Sequence, residues 1–364
     1  METVVKAALS NSDGQWKRFF RTLIITVSSL FAAGYLFILI VDPYGMLPLQ
    51  FNFDRSPAGG DRRYWLPNMA KNSRFDSAII GSSTIRLLNP DDLNLFLNGR
   101  FVNLGIEGAS LFEQEAIFDV FLRNHPQPKT IIFGVDLAYF DPEHFGVVTK
   151  AEHFPAWMYD ENPFNDLLPY NWRTIQITMR QFKYITGIRP KKFRSDGYHD
   201  FTMGRPYDID RVRQDIYGST TPKEKIPVEP PVLRTPEQNQ AFNFPAVSHL
   251  GRMLGRLPQS TLKIVVIPPF HYYYQATPGS MNAIKWDVFK RRVADATCRH
   301  ENALLFDFMI ESPITTRDEN YVDRTHYTVA VAQEIARLMA KGAFSQVDGP
   351  QFNRYCNDLN GTVN

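Results

Sequence analysis

The sequence predicts an α/β fold: a doubly wound parallel sheet with a lid-like insertion, tethered by one N-terminal transmembrane helix. Three observations carry this. Short apolar runs alternate with helical patterns across most of the chain. The alternation stops between positions 138 and 234. A long uncharged stretch lies near the N-terminus.

Composition sets the outer bounds. The chain has 364 residues, of which 44% are hydrophobic, enough for a large α/β core. A net charge of +2 gives no nucleic-acid footprint. The two cysteines, Cys298 and Cys356, match neither metal-ligand spacing nor a redox pair. They read as two structural thiols, or as one disulfide if the domain lies outside the cytosol.

Thr22 to Val41 is uncharged, mostly apolar and about as long as a bilayer-crossing helix. Lys6, Lys17, Arg18 and Arg21 precede it, and the next basic residue after it is Arg55. This asymmetry predicts a cytoplasmic N-terminus and an exported body. The stretch is read as an uncleaved signal anchor. A cleaved signal peptide and a buried helix are the competing readings. The expected organisation is a cytoplasmic 1–21, a span at 22–41, a linker at 42–75, an α/β domain at 76–344 and a tail at 345–364.

Within the domain, strands are expected at Asp76–Gly81, Phe101–Ile106, Lys129–Leu137, Leu262–Phe270 and Leu304–Phe308. Asn89 and Pro90 open a helix, and Ser110 with Glu113 forms a capping box for another. In the insertion, Trp172, Ile175, Met179 and Phe182 recur at helical spacing behind Asn171. These aromatics either line a sugar or acyl site or pack a small lid. A helix from Thr235 is expected to bend at Pro245. Val331, Ile335, Leu338 and Met339 mark the last helix. This succession corresponds to a flavodoxin-like sheet.

The first strand ends in Gly81-Ser82-Ser83. Ligands of parallel sheets bind at the C-terminal strand edge, so the Ser83 hydroxyl stands where chemistry is expected. Serine needs a base to take its proton, usually a histidine oriented by a carboxylate. Asp-x-x-His occurs three times: Asp141/His144, Asp196/His199 and Asp323/His326. Only Asp323/His326 follows the fifth strand and opens the last helix, on the edge that carries Ser83. An α/β-hydrolase elbow, Gly-x-Ser-x-Gly, is excluded by Ile85.

Gly81-Ser82-Ser83, Gly108, Gly134-Val135-Asp136 and Asp323-x-x-His326 together resemble the ordered blocks of the SGNH (GDSL-type) hydrolase superfamily. The resemblance covers roughly 76–137 and 262–344. It implies Ser83 as nucleophile, His326 as base and Asp323 as its orienting carboxylate. It also implies an oxyanion site from the N–H groups of Ser83 and Gly108 and from position 136. That last position is asparagine in the family and Asp136 here. The anchor and insertion are similar to the membrane-bound acyltransferase branch, which includes the D-alanyl-lipoteichoic acid protein DltD and the alginate O-acetylation proteins. Polysaccharide acylation outside a bacterial inner membrane is the implied function. The implied partners are an acyl donor, a glycan acceptor and a membrane-bound O-acyltransferase, with no metal or organic cofactor. An esterase and a non-catalytic glycan-binding module are the rival readings.

Asp136 admits three accounts. It turns away and anchors the chain, it is protonated and donates, or the site is weak. The first is favoured, because Asp136 ends a strand where the insertion begins.

Overall fold

The computed structural model describes residues 2–47, 62–140, 154–162, 171–190, 194–202, 206–344 and 352–356. Two compact units form. One joins Met1–Gly59 to Asn162–Lys191; the other joins Gly60–Glu161 to Lys192–Asn364. The expected insertion is therefore divided between them.

The first unit is built on helix α1 (Glu2–Val41). Its segment Gly14–Val41 is long and apolar enough to cross a membrane. Most of this stretch is exposed, and burial begins only near its end, at Ile38 and Val41.

The second unit holds the sheet. Strands β1 (Ser77–Ile80), β2 (Phe101–Asn103), β3 (Thr130–Gly134), β4 (Leu262–Ile267) and β5 (Ala303–Asp307) run parallel in the order 2-1-3-4-5. The strands are buried almost throughout, which is why they read as continuous apolar runs without alternation. The second expected strand is shorter than its apolar run. Beyond Asn103 the chain still follows β1, with the Leu104 and Ile106 N–H groups donating to the carbonyls of Ile79 and Gly81.

The tail is not simply a tail. Asn353–Tyr355 forms β6, antiparallel to β5 at the sheet edge. Next to it, Cys356 is disulfide-bonded to Cys298, the last residue of a helix. Three residues with a polar centre give no strand pattern, and the covalent link supplies what the sequence pattern lacks. Residues 345–351 and 357–364 lie outside the described residues.

The helix starts follow their caps. Asn89 caps α2 (Pro90–Leu97), and the Ser110/Glu113 box opens α3 (Leu111–Asn124). Asn171 caps α4 (Trp172–Ile185). In the second unit α5 spans Ile209–Tyr217. The helix expected from Thr235 is two helices, because Pro245 begins a new one, α6 (Pro245–Gly255), instead of bending the first. Helices α7 (Met281–Cys298) and α8 (Val329–Phe344) complete the set used below. The apolar spacing along α4 is as expected, but its direction is not. Trp172, Met179 and Phe182 are exposed, while Thr174, Thr178 and Gln181 are buried with Ile177 and Tyr184.

Two features of this fold place the site. The chain leaves β1 for β2 on one side, then crosses to β3 on the other. The C-terminal ends of β1 and β3 therefore flank a topological switch point. In addition, α2 packs on α8 through a common core that includes Leu93, Leu97, Val331 and Ile335. One of these helices leaves the Ser83 region and the other the His326 region. Truncating a leucine buried there costs about 2–5 kcal/mol, and it would loosen the two halves of the site together.

Candidate active site

Ser83 sits on a single 3-10 turn, Ser83–Ile85, directly after β1. Gly81 permits the approach. A Cβ there would lie 2.7 Å from the Ile85 side chain and 3.1 Å from the Gly134 carbonyl. Ser82 caps the turn, and its hydroxyl donates to Asp136. The Thr84 hydroxyl donates to the same carboxylate oxygen at 2.7 Å.

The opposite wall is a tight turn between Tyr321 and Tyr327, which form an antiparallel bridge. The Val322 N–H donates to the His326 carbonyl at 2.9 Å. Inside this turn Asp323 Oδ1 accepts from the N–H groups of Thr325 at 2.9 Å and His326 at 2.8 Å. The same carboxylate lies 2.8 Å from His326 Nδ1. His326 Nε2 lies 2.9 Å from Ser83 Oγ. The carboxylate on Nδ1 assigns the proton to that nitrogen and leaves Nε2 to accept from the serine. Thus the residues 323, 326 and 83, distant in sequence, form one hydrogen-bonded line.

Burial alone would raise the Asp323 carboxyl. The hydrogen bond and charge of His326, with the two turn N–H groups, outweigh it and hold the group at about 2. The carboxylate is ionised at neutral pH.

The turn is held from outside as well. The Arg324 N–H donates to Asp215 of α5 at 2.9 Å, and the His271 N–H donates to the Arg324 carbonyl at 3.0 Å. Asp318, buried nearby, accepts from Tyr217 at 2.7 Å and from Arg213 at 2.8 Å, fixing α5 to the same loop. Burial pushes Asp318 up, but those two hydrogen bonds and His271 hold it below its usual range. Burial, partly opposed by Asp318, depresses His271.

A cavity of about 860 Å³ opens over Ser83 and His326. That is ample for a small ligand or a sugar unit. Its walls include Arg86, Glu107, Phe201, Tyr207 and Asp215. Arg86 is three residues beyond Ser83, and its N–H donates to the Ser83 carbonyl at 3.2 Å. Its side chain is 6% exposed and pairs at 3.0 Å with Glu107, which is 72% exposed. Burial lowers its pKa, and Glu107 opposes the shift. Its Nε has no hydrogen-bond partner among the described residues. The guanidinium lies 4.9 Å from the Phe201 ring, and Phe201 stands edge-on to His326 at 5.5 Å.

The other expected positions fare differently. Gly108 is exposed with φ 57°, a conformation that suits glycine, and is not among the residues that line the cavity. Its neighbour Glu107 is. Asp136 does not line the cavity either. Its carboxylate is turned onto Ser82 and Thr84, so the expected oxyanion position is occupied by an anchor of the Ser83 turn. Asp196 is taken up by Arg194 and the Tyr198 N–H, and His199 is not among the lining residues. Asp141 and His144 lie outside the described residues. No group of side chains able to hold a metal ion occurs among the described residues.

Arg86, Phe201, Tyr207 and Asp215 were not singled out from the sequence. Arg86 carried one signal: a lone cation between Ile85 and Leu87, one turn past the serine. The other three come from irregular or polar parts of the insertion and carried none. The chain matches no protein-family model and no characterised protein.

Proposed function

We propose that the chain is a membrane-anchored serine acyltransferase of the SGNH type, acting on an exported or cell-envelope polysaccharide. The observation that carries this is the hydrogen-bonded line Asp323–His326–Ser83 at the head of a roomy cavity. The 2-1-3-4-5 strand order, shared with flavodoxin-like sheets, supports the fold assignment.

In the first half-reaction Ser83 Oγ attacks the acyl carbonyl of an ester donor, and its proton passes to His326 Nε2. Asp323 steadies the imidazolium that results. The carbonyl electron pair moves onto oxygen and then returns, expelling the donor alkoxide, which takes the proton from His326. The second half-reaction repeats these steps with a glycan hydroxyl as the attacking group. Acetyl is the favoured acyl group. The Ser83 N–H is assigned to the oxyanion; Gly108, which does not line the cavity, is not. With Asp136 turned away, the Arg86 guanidinium supplies the side-chain positive charge.

Location follows from two features. Basic residues precede the apolar part of α1, and a disulfide closes the sheet edge. Both support a periplasmic domain on a bacterial inner membrane. A membrane-bound O-acyltransferase that delivers the acyl group across the bilayer is the partner this arrangement would serve.

Water competing for the acyl-enzyme would make the same site an esterase. Incubating the purified protein with an aryl acetate, with and without an acidic or neutral polysaccharide, separates the two. Acetyl esters on the glycan support transfer. Acetate alone, at a rate the glycan leaves unchanged, supports hydrolysis.

A further inference from the structure

Helix α4 exposes a stripe of large apolar side chains while its buried face is largely polar. That inward side carries Thr174, Thr178 and Gln181, none more than 1% exposed, together with Ile177 and Tyr184, each 8% exposed. Its outward side carries Trp172, 72% exposed, with Met179 and Phe182. Ile188, just past its end, is 66% exposed. Helices in water place their apolar stripe inward. Beside this outward stripe, Arg180 and Lys183 are also exposed.

The location of α4 suggests what covers the stripe. It packs on α1 within the first unit, with the Phe37 and Phe182 rings 5.5 Å apart. The Tyr44 hydroxyl reaches Thr174 Oγ1 at 3.4 Å, so α4 meets α1 where the apolar segment ends. Phe37 is four residues inside Val41, or about 6 Å of helix. If α1 spans a bilayer, Phe182 lies at the level where acyl chains give way to headgroups. An apolar stripe with a tryptophan and flanking cations matches an interfacial helix.

We propose that α4 lies in the headgroup boundary of the leaflet where α1 emerges. Met179 and Phe182 enter the acyl-chain ends, Trp172, beside the Thr174–Tyr44 contact, stands at headgroup level, and Arg180 and Lys183 meet anionic phospholipid phosphates. The inference rests on α1 crossing the membrane.

The test uses the full-length protein in nanodiscs of phosphatidylethanolamine and phosphatidylglycerol. Both native cysteines are in the disulfide. Ile25→Cys, Met179→Cys and Phe182→Cys are labelled singly with bimane. Each is exposed to lipids brominated high on the acyl chain and, separately, to aqueous iodide. The expected result is a loss of fluorescence at 179 and 182 to bromolipid comparable to that at 25, with protection from iodide. Quenching at 25 but not at 179 or 182 overturns the α4 proposal and leaves α1 in the membrane. No quenching at 25 overturns the spanning reading and this proposal with it. Arg180→Glu with Lys183→Glu is expected to reduce quenching at 179 when phosphatidylglycerol is present, and to change it little in phosphatidylcholine alone. An equal effect in both lipids overturns the assignment of the two cations to anionic headgroups.

Discussion

The Thr84 hydroxyl donates to the Asp136 carboxylate at 2.7 Å. Ser82 donates to the same oxygen, so the residues on both sides of Ser83 are tied to one buried side chain. Asp136 thereby fixes the direction in which the serine hydroxyl leaves the turn.

Replacing Asp136 by asparagine tests that role. Hydrogen bonds to a charged group contribute about 1.5–3 kcal/mol each, and a neutral amide keeps only part of this. The variant is expected to melt earlier and to acylate at the same rate or more slowly. A large rate gain at unchanged stability would contradict the anchoring role, because it would mean that an amide at 136 reaches the oxyanion.

Arg86 is expected to matter for rate more than for binding. Loss of one oxyanion-stabilising group costs about 2.7–4 kcal/mol, or roughly a hundred- to a thousandfold in kcat. Arg86→Met should show a loss of this order with an aryl acetate, with KM little changed. Arg86→Lys should recover part of it. A folded Arg86→Met protein with wild-type kcat would remove Arg86 from the oxyanion site.

Acid stability reports on Asp323. A carboxyl held at about 2 in the folded chain, against 3.8 when free, contributes stability that is fully present above the free value. That stability is lost as pH falls from about 4 toward 2. The side chain is 39% exposed, so solvent screening reduces the contribution to the order of 1 kcal/mol. Unfolding measured across this range should be less pH-dependent in Asp323→Asn than in the wild type. Parallel curves would mean that the carboxylate is not held by His326.

The disulfide closes a loop across a sequence separation of 58, from the end of α7 to the end of β6. Cross-links of this kind contribute about 2–4 kcal/mol. Cys356→Ser should lower the melting temperature and speed amide exchange at Leu305–Asp307, the residues β6 pairs with. Unchanged exchange there would show that β6 holds its place without the link.

Much of this site is legible in the sequence, for physical reasons that can be named. Ser83 stands out because a buried strand must end where its apolar run meets Gly81. Asp323 and His326 are separated from two similar pairs by position, since only they follow β5. Arg86 was harder to read. Its burial depends on Glu107 and Phe201, which come from other loops. Tyr207 and Asp215 reach the cavity from the insertion, where no strand–helix rhythm assigns them a side. Periodicity in α4 shows which residues share a face, but not which way that face points. Strand β6 has too few residues for any pattern, and its place follows from Cys298 far earlier in the chain.

The most direct test of the central claim is covalent labelling of the folded protein with a fluorophosphonate, followed by peptide mass mapping. The account predicts one adduct, on Ser83. It also predicts no adduct in Ser83→Ala and a severe loss of labelling in His326→Ala; in acyl transfer each change should remove nearly all activity, with the double variant little worse than either single one. His144→Ala and His199→Ala should label as the wild type does. A folded wild-type protein that takes no label, or takes it on a residue other than Ser83, would contradict the account.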